Sequence, residues 1–236
     1  MKQKTSPPTL QAVYEELVRA DIEHEILVIN DNSGDNTLDV LQQLKAHMPT
    51  LTWLTNTPPH NGFGYAVRKG LENFSGDCVA IVMGDLSDDP KDLVRYYQLF
   101  LQGSVDCVFG NRFAKGSIVE GYPRKKLVIN RIVNRIIGWV FNVKYYDCTN
   151  AFKLYSKHCM EGLKPFMSPH FNLTVELPLK AIVRGYSYAV VPNSWRKRKF
   201  GASNLKIREM GSRYFFIVLY CLIEKYFSRG DFRKKW

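Results

Sequence analysis

Apolar runs of four to six residues alternate with amphipathic stretches over the first two-thirds of the chain. The runs predict β-strands at residues 25–30, 51–54, 78–83 and 105–109. Apolar residues at helical spacing predict helices at residues 9–20, 37–46, 65–73 and 90–101. Strands that alternate with helices favour a mostly parallel sheet that is covered on both faces, which is an α/β fold.

The last third of the chain is less regular. The pattern predicts further helices at residues 125–143, 174–184 and 206–228, and strands at residues 152–155 and 186–191. The final helix is rich in aromatic residues and is followed by the basic tail Arg233-Lys234-Lys235. No shift of composition marks a domain boundary, so we expect one main domain of residues 1–205 and a C-terminal amphipathic helix with its tail at residues 206–236.

The charge balance indicates an anionic partner. The 236 residues include 33 Lys and Arg against 22 Asp and Glu, a net charge of +11. Nucleic acid, an anionic membrane surface and phosphate-bearing substrates all satisfy such a charge. The basic and aromatic segment at residues 195–200 keeps nucleic-acid binding as an alternative. We expect no nucleic acid, because this reading leaves the acidic cluster described below unexplained.

The cysteines and the hydropathy of the sequence indicate where in the cell the protein is located. The five cysteines form no C-x-x-C pair, which predicts buried, reduced thiols in a cytoplasmic protein. No signal peptide is visible at the start of the sequence. No apolar run reaches the ~18–20 residues of a membrane-spanning helix. We therefore expect a cytoplasmic protein that does not span a membrane.

Polar residues follow the first predicted strand at residues 25–30. The loop contains Asp31, Asn32, Ser33 and Asp35 before the next helix begins. Ligands of open α/β sheets bind at the carboxyl ends of strands, so these residues are candidates for binding a nucleotide. Asp, Asn and Ser are equally ordinary turn and helix-capping residues, and this alternative stays open.

Three acids follow the third predicted strand. Asp85, Asp88 and Asp89 lie within five residues of each other, and such carboxylates repel unless they are solvated, cap a helix or hold a cation. Oxygen ligands at a strand end suit Mg²⁺ or Mn²⁺ that also grips a diphosphate. Helix capping before Pro90 is the alternative, and it explains one acid better than three.

A glycine-containing turn opens the helix between these two loops. Gly62 and Gly64 precede Arg68 and Lys69 on that helix. Such a turn can bring the backbone close to a phosphate or a sugar. A lone Gly-x-Gly is weak evidence by itself.

Five segments, in order and spacing, resemble the family 2 glycosyltransferases of the GT-A fold, and more closely the dolichol-phosphate-mannosyltransferase-like branch. The segments are Asn30-Asp31-Asn32-Ser33-Gly34-Asp35, the helix start from Gly62 to Gly70, Met83-Gly84-Asp85-Leu86-Ser87-Asp88-Asp89-Pro90, Gly110-Asn111-Arg112-Phe113, and Arg198-Lys199-Phe200-Gly201-Ala202-Ser203-Asn204. The resemblance implies a GT-A, Rossmann-like sheet with helices on both faces. It also implies inverting transfer of a sugar from a GDP- or UDP-linked donor to a lipid-phosphate or glycan acceptor.

The resemblance implies roles for individual residues. Asp31 would contact the nucleobase, and Asp85 would bind the Mg²⁺ or Mn²⁺ that bridges the donor diphosphate. Arg112 and Arg198 would face phosphates of the donor or acceptor. Ser203 and Asn204 would belong to a loop that closes over the site. A hydroxyl acceptor would need a general base, for which Glu176 is the candidate, with a purely structural role as the alternative.

The sequence departs from the family pattern in three places. Met83 stands where the family has the first Asp of D-x-D, and Asn30 stands where it has an acid. The family's first strand, which is central in its sheet, has no counterpart before residue 9. Either the chain is a shortened form with an altered sheet, or its true start lies upstream. For a shortened form we expect reduced stability, or a partner protein or second copy that fills the gap. A non-catalytic glycosyltransferase-like scaffold remains an alternative.

The predicted helix at residues 125–143 is basic and amphipathic. Trp139 lies on its apolar stripe, and Arg131 and Arg135 lie beside it. Together with the aromatic C-terminal helix, it predicts peripheral attachment to an anionic membrane on the cytoplasmic face. A helix packed in the core with a solvated basic face is the alternative.

Overall fold

The computed structural model describes residues 6–197 and 207–234. The helices of this part of the chain are α1 (Ser6–Arg19), α2 (Thr37–Lys45), α3 (Phe63–Asn73), α4 (Pro90–Leu101), α5 (Arg124–Phe141), α6 (Lys157–Gly162), α7 (Leu173–Val183) and α8 (Ile207–Phe227). The strands are β1 (Ile26–Asn30), β2 (Leu51–Thr55), β3 (Cys78–Ile81), β4 (Cys107–Asn111), β5 (Val119–Glu120), β6 (Lys153–Ser156), β7 (Tyr188–Pro192) and β8 (Trp195–Arg196).

The predicted elements all occur, with ends displaced by up to three residues. The sequence pattern did not predict α6, β5 or β8, because elements this short contain no full hydrophobic period. Strand β3 ends at Ile81, two residues before the predicted end at Met83. Residues 82 and 83 instead lead into the acidic loop.

The strands form a two-stranded sheet, a four-stranded sheet and a small ribbon. The orders are β1-β2, β3-β6-β4-β7 and β5-β8. Strands β1 and β2 are parallel, as are β4 and β7, whereas β6 runs antiparallel to both β3 and β4. The architecture is the predicted α/β type, but within the described residues the main sheet is divided between β1 and β3.

Helices cover both faces of the strands. The largest core cluster packs α5, α7 and α8 against one face of the four-stranded sheet, around Phe109 and Tyr155. A second cluster packs α1 and α4 against the other face, and a third packs α1 and α2 against β1 and β2. Helix α1 therefore contacts both sheets.

Helix α8 is joined closely to this core. Ile217 and Cys221 are fully buried in the largest cluster. Glu224 accepts hydrogen bonds from Arg184, at 2.7 Å to Nε and 2.9 Å to Nη2. The predicted boundary at residue 205 lies outside the described residues and stays a prediction.

The start of α3 depends on glycine at two positions. Gly62 precedes the helix with φ of 114°, a conformation that favours glycine. A Cβ atom on Gly64 would lie 2.3 Å from the backbone carbon of Pro169. The absence of a side chain at Gly64 therefore lets α3 approach the segment that leads into α7.

Replacing Gly64 by Ala is expected to destabilise the protein by roughly 2 kcal/mol or more, because a backbone atom must move to admit the methyl group. Urea unfolding measures the change. Gly34→Ala is the matched control, since a Cβ atom there meets nothing within 4 Å. Equal midpoints for the two variants would contradict the packing role of Gly64.

Candidate active site

Asp31 joins three segments at the carboxyl end of β1. Its Oδ1 accepts a hydrogen bond from Asn56 Nδ2 at 3.0 Å, and its Oδ2 accepts one from the Gly62 N–H at 2.7 Å. The end of β1, the segment after β2 and the start of α3 therefore share one carboxylate. The N–H of Gly62 contacts this carboxylate, which holds the turn in place.

The rest of the first loop is shaped by local hydrogen bonds. Asn30 is buried, and its Oδ1 accepts from the Ser33 N–H at 3.1 Å. Asp35 accepts from the N–H of Thr37 at 3.1 Å and also from the hydroxyl of Thr37, so it supports the start of α2. Asn32 is exposed with φ of 53°.

The three acids after β3 lie in three different environments. Asp89 is the N-cap of α4 and accepts from the Lys91 N–H at 3.1 Å. Asp88 is buried, and this burial raises its pKa to about 7, against the opposing effect of Arg112. Asp85 is half-buried, and its Oδ1 accepts from the Ser87 N–H at 3.2 Å. Capping thus accounts for Asp89.

The carboxylates of the acidic loop suit a cation that is coordinated partly by the protein and partly by a bound ligand. Within residues 6–197 and 207–234, no group of three or more His, Cys, Asp and Glu side chains is arranged to hold a metal. Mg²⁺ is commonly held by one or two carboxylates together with substrate phosphates. Asp85, with Asp88 or Asp89 beside it, fits that partial set, whereas the three acids do not form a complete protein cage.

Arg112 is held by an acid that the sequence analysis did not single out. Asp147 Oδ1 accepts from Arg112 Nη2 at 2.7 Å, and Oδ2 accepts from Arg112 Nε at 2.9 Å. The Arg112 backbone N–H also binds Asp147 at 2.9 Å. Both side chains are buried, so the guanidinium is fixed in one orientation.

A buried polar layer lies beneath the acidic loop. Asn193 Nδ2 reaches Asp88 Oδ1 at 3.5 Å, and Asn193 Oδ1 accepts from Asn150 Nδ2 at 3.1 Å. Lys153 Nζ donates to backbone carbonyls, including that of Cys148 at 3.0 Å, and its burial lowers its pKa to about 7. Asp88, the segment of residues 148–153 and Asn193 lie far apart in sequence, so no sequence signal links them.

Gly110 is required by this layer. A Cβ atom on Gly110 would lie 2.1 Å from Tyr96 Oη and 2.7 Å from Asn193 Oδ1. The first residue of Gly110-Asn111-Arg112-Phe113 therefore lets Tyr96 and Asn193 approach the backbone of β4. Its role is to pack the layer that supports Asp88 and Arg112.

Arg68 is the predicted donor-binding cation on α3. Its Nε and Nη2 atoms are buried and have no hydrogen-bond partner among the described residues. Its guanidinium lies 5.8 Å from the centre of the Tyr65 ring. A buried guanidinium with unused donors is costly unless an anion satisfies it, which is consistent with a role in binding phosphate.

Glu176 is placed by the structure inside the protein. It is fully buried, and its oxygens accept from the backbone N–H groups of Met167 and Ser168 and from Lys180 Nζ, at 2.6–2.7 Å. A general base needs access to the acceptor, and Glu176 is fully buried and paired with Lys180. The geometry favours the structural alternative over the catalytic one.

Three predicted site residues, Arg198, Ser203 and Asn204, lie outside the described residues. The segment before them contacts the acidic loop. Arg196 Nη1 lies 3.8 Å from Asp89 Oδ2, and Trp195 forms a β-bridge with Asp88.

Ring contacts connect the acidic loop to the basic face of α5. Trp195 packs on Tyr122 at 5.0 Å, and Tyr122 packs on Phe113 at 6.0 Å. The Arg131 guanidinium lies 4.9 Å from the centre of the Phe113 ring. Next to it, an open groove of about 780 Å³ is lined by Arg131, Arg135, Trp139, Asn142, Lys144, Tyr146 and their neighbours.

Comparisons with known proteins agree with this fold. The model of the family described as glycosyl transferase family 2 matches residues 3–164. Polyprenol monophosphomannose synthase of Mycolicibacterium smegmatis is 26% identical over 185 residues, which are 76% of this chain and 69% of that protein. Dolichol-phosphate mannosyltransferase of Pyrococcus furiosus is 28% identical over 191 residues, 78% of this chain and 51% of that protein.

Solved structures show the same fold. Glucosyl-3-phosphoglycerate synthase from Mycobacterium tuberculosis, in complex with phosphoglyceric acid, superposes with a TM-score of 0.67 and 16% identity over 95% of this chain and 76% of that one. A complex of the synthase with Mn²⁺, uridine-diphosphate-glucose and phosphoglyceric acid also superposes with a TM-score of 0.67. The identity is 14%, and the match covers 94% of this chain and 77% of that one.

The fold and site define a glycosyltransferase of the α/β, GT-A type. Because the family model matches well over half of its residues, the chain belongs to glycosyl transferase family 2. The implied family and enzyme class are confirmed. The chain spans about half the length of the Pyrococcus furiosus relative.

The buried pair of Glu176 and Lys180 provides a test of their role. Glu176→Gln is expected to cost roughly 3 kcal/mol or more, because it leaves the Lys180 charge buried without its partner. The double variant Glu176→Met, Lys180→Met is expected to cost much less than the sum of the single changes. Urea unfolding of Glu176→Gln, of the single variants Glu176→Met and Lys180→Met, and of the double variant measures this.

Glu16→Gln is the control, since Glu16 pairs with the exposed Arg19 and should change stability by less than about 1 kcal/mol. A double variant that folds as stably as the parent but has lost all transferase activity would contradict the structural role of Glu176.

Proposed function

We propose that this glycosyltransferase moves a sugar from a nucleotide-sugar donor to the phosphate of a membrane-borne polyprenyl lipid. The observation that carries the proposal is the placement of Asp31 and Asp85 after two strands, together with the aromatic and basic path that leads from the acidic loop to α5. Asp31 follows β1 directly, and Asp85 follows β3 by four residues. The carboxyl ends of strands are the ligand edge of such sheets.

The donor is proposed to bind along this edge. Asp31, with Asn32, Ser33 and Asp35 behind it, would receive the base and ribose. Gly62 and Gly64 hold the start of α3, from which the unused donors of Arg68 would reach a phosphate. Asp147 accepts hydrogen bonds from Nε and Nη2 of Arg112. Nη1 is not part of that pair, and it is the nitrogen that would face a phosphate of the donor. GDP- and UDP-linked sugars both fit these contacts.

Mg²⁺ or Mn²⁺ is proposed to be held by Asp85 with help from Asp88 or Asp89. When bound, the ion neutralises the charge that develops on the departing diphosphate. Neighbouring structures support a divalent ion, since one neighbour is described in complex with Mn²⁺ and uridine-diphosphate-glucose. Asp88 contributes as a carboxylate only if the ion offsets the burial that raises its pKa.

A phosphate acceptor agrees with the position of Glu176. A hydroxyl acceptor needs a base, and the predicted base is buried and paired with Lys180. A phosphate is already anionic and attacks the anomeric carbon without one, with inversion. The relatives named polyprenol monophosphomannose synthase and dolichol-phosphate mannosyltransferase support this acceptor class.

The surface of α5 and α8 supports attachment to a membrane. Trp139 of α5 is 84% exposed, and Phe215 and Phe227 of α8 are 70% and 78% exposed. Other exposed apolar residues on these helices are Val128, Ile129, Ile132, Ile136, Phe216, Leu219, Ile223 and Tyr226. Large exposed apolar areas with flanking cations are typical of interfacial helices.

Among the described helices, none is long and apolar enough to cross a bilayer.

Asp85→Asn is expected to lower sugar transfer about a hundredfold or more and to abolish the effect of Mn²⁺ on donor affinity, because it removes the carboxylate proposed to hold the ion. Transfer is measured with GDP- and UDP-hexoses, to a polyprenyl phosphate and to the same alcohol without its phosphate. Asp39→Asn, on the exposed side of α2, is the control.

Unchanged transfer in Asp85→Asn would contradict the assigned metal site. If the parent protein binds none of the donors with Mn²⁺ present, the non-catalytic scaffold is favoured instead. Equal transfer to the alcohol would contradict the phosphate acceptor.

The double variant Trp139→Asp, Phe227→Asp is expected to lose at least about tenfold in binding to anionic vesicles, since two large apolar side chains no longer enter the interface. Flotation at low salt measures binding. Leu101→Asp is the control, because Leu101 is 62% exposed but lies on α4. An equal loss of vesicle binding in Leu101→Asp, or no flotation of the parent protein, would contradict membrane binding by the surface of α5 and α8.

A further inference from the structure

The groove beside the C-terminal half of α5 is concave and positively charged. Its volume is about 780 Å³, and Arg131, Arg135 and Lys144 contribute three cations to its lining. The exposed ring of Trp139 lies on the same groove. Among the described residues, none that lines the groove is Asp or Glu, and the sequence of α5 contains no acid. The groove therefore joins a cationic surface to an apolar one.

The turn that ends α5 forms one wall of the groove. Asn142 ends the helix with φ of 52°, and the N–H of Val143 donates to the carbonyl of Gly138 at 2.9 Å. A Cβ atom on Gly138 would lie 2.6 Å from the Tyr146 ring, so the absence of a side chain there lets the ring pack against α5. The turn and this ring contact together place Lys144 beside the helix.

The cations of the groove have no acidic partner in the part of the chain that the structure describes. The Arg131 guanidinium lies 4.9 Å from the centre of the Phe113 ring. Arg135 and Lys144 are exposed, and neither forms an ion pair with a described carboxylate. Like charges in one groove repel each other, so binding of an anion is favoured.

The C-terminal end of α5 would by itself oppose an anion, because the last carbonyl groups of a helix carry partial negative charge. Lys225 of α8 offsets this effect, since its Nζ donates to the Phe141 carbonyl at 2.6 Å. The N–H groups of Asn142 and Val143 bind two further carbonyls of the last turn. The cations of the groove therefore keep their attraction for an anion.

The surface next to the groove favours a membrane lipid as the source of this anion. Arg131 and Arg135 are four residues apart and form one stripe on α5. Ile132, Ile136 and Trp139 form the neighbouring stripe, and all three are exposed. A free phosphate would contact the cations alone, whereas a lipid would also place its glycerol and first acyl carbons on the apolar stripe.

The position of the groove separates it from the proposed transfer site. The Phe113 ring contacts the guanidinium groups of both Arg112 and Arg131, at 5.5 and 4.9 Å from its centre. Arg135 lies one helical turn beyond Arg131, about 6 Å along the axis. Lys144 follows the turn that ends the helix. A headgroup held by Arg135 and Lys144 is therefore distinct from a phosphate that Arg112 would face.

We propose that this groove binds the phosphodiester headgroup of an anionic glycerophospholipid of the membrane. This headgroup groove consists of Arg131, Arg135, Trp139, Asn142, Lys144 and Tyr146. Arg135 and Lys144 neutralise the phosphate, and Asn142 and Tyr146 form hydrogen bonds with hydroxyl groups of the headgroup. Trp139 contacts the glycerol. The bound lipid fixes the depth and orientation of α5 in the interface.

Occupation of the headgroup groove is expected to speed sugar transfer to an acceptor in the same bilayer. The groove begins at Arg131, which contacts Phe113, and Phe113 follows Arg112 directly. A lipid that fixes α5 therefore also fixes the direction in which the site faces the membrane. This consequence rests on the proposed function, whereas binding of the phospholipid does not.

Binding is tested with dihexanoyl phosphatidylglycerol below the concentration at which it forms micelles, so that no membrane surface is present. Isothermal titration calorimetry is expected to show one saturable site, with an affinity at least about tenfold higher than that for inorganic phosphate. The double variant Arg135→Ala, Lys144→Ala is expected to weaken phospholipid binding about tenfold or more, because both partners of the phosphate are lost.

The matched control is Arg124→Ala, Lys125→Ala. It removes two exposed cations from the same helix, and neither of them lines the groove. We expect it to change the affinity by less than about twofold, since salt screens exposed charges that do not contact the ligand.

Three outcomes would overturn the headgroup groove. Equal losses of affinity in the two double variants would show general attraction between charges. Equal affinity for inorganic phosphate would assign the groove to a free anion. Displacement of the phospholipid by an equal concentration of a short-chain prenyl phosphate would assign the groove to the acceptor.

Transfer is then measured to a polyprenyl phosphate in neutral vesicles with and without phosphatidylglycerol. The ratio of the two rates is expected to be at least about fivefold for the parent and for the control, and near one for Arg135→Ala, Lys144→Ala. Phospholipid binding with no transfer from any donor would keep the headgroup groove and contradict the proposed function. Transfer by a protein that does not bind the phospholipid would do the reverse.

Discussion

The packing of α1 and α3 across two separate sheets is the constraint on which the rest of this structure depends. In the part of the chain that the structure describes, strands β1 and β3 share no hydrogen-bonded ladder, and side chains of these helices and Glu25 connect the two strands. The loops with Asp31 and Asp85 begin at these strands. Their separation, and with it the geometry of any donor site, follows from apolar contacts on two helices.

The four-stranded sheet contributes the rigid half of the site. Asp147 fixes Arg112 by three hydrogen bonds, and Asn193 and Asn150 connect the acidic loop to β4 and its neighbours. Such a buried polar layer is stable only when nearly every member is satisfied, which makes it sensitive to single changes. The layer holds Asp88 and Arg112 in place, while the β1 loop is held mainly by Asp31 and its contacts.

The described part of the chain has an acidic edge at the strand ends and a basic, apolar surface on α5 and α8. The carboxylates at the strand ends suit an ion and a diphosphate, and α5 and α8 present aromatic and cationic side chains outward. The rings of Phe113, Tyr122 and Trp195 connect the two regions. The proposed donor and the proposed lipid-phosphate acceptor are both anionic, which agrees with the net charge of +11.

The sequence by itself determined the α/β class, the family and the main elements, because hydrophobic periodicity and motif order are local properties. The tertiary structure alone decided which acids are available. Local sequence could not show that Asp89 caps α4, that Asp88 is buried, or that Glu176 is neutralised by Lys180. Those outcomes depend on burial and on partners such as Asn193 and Asp147, which are brought close only when distant segments pack together.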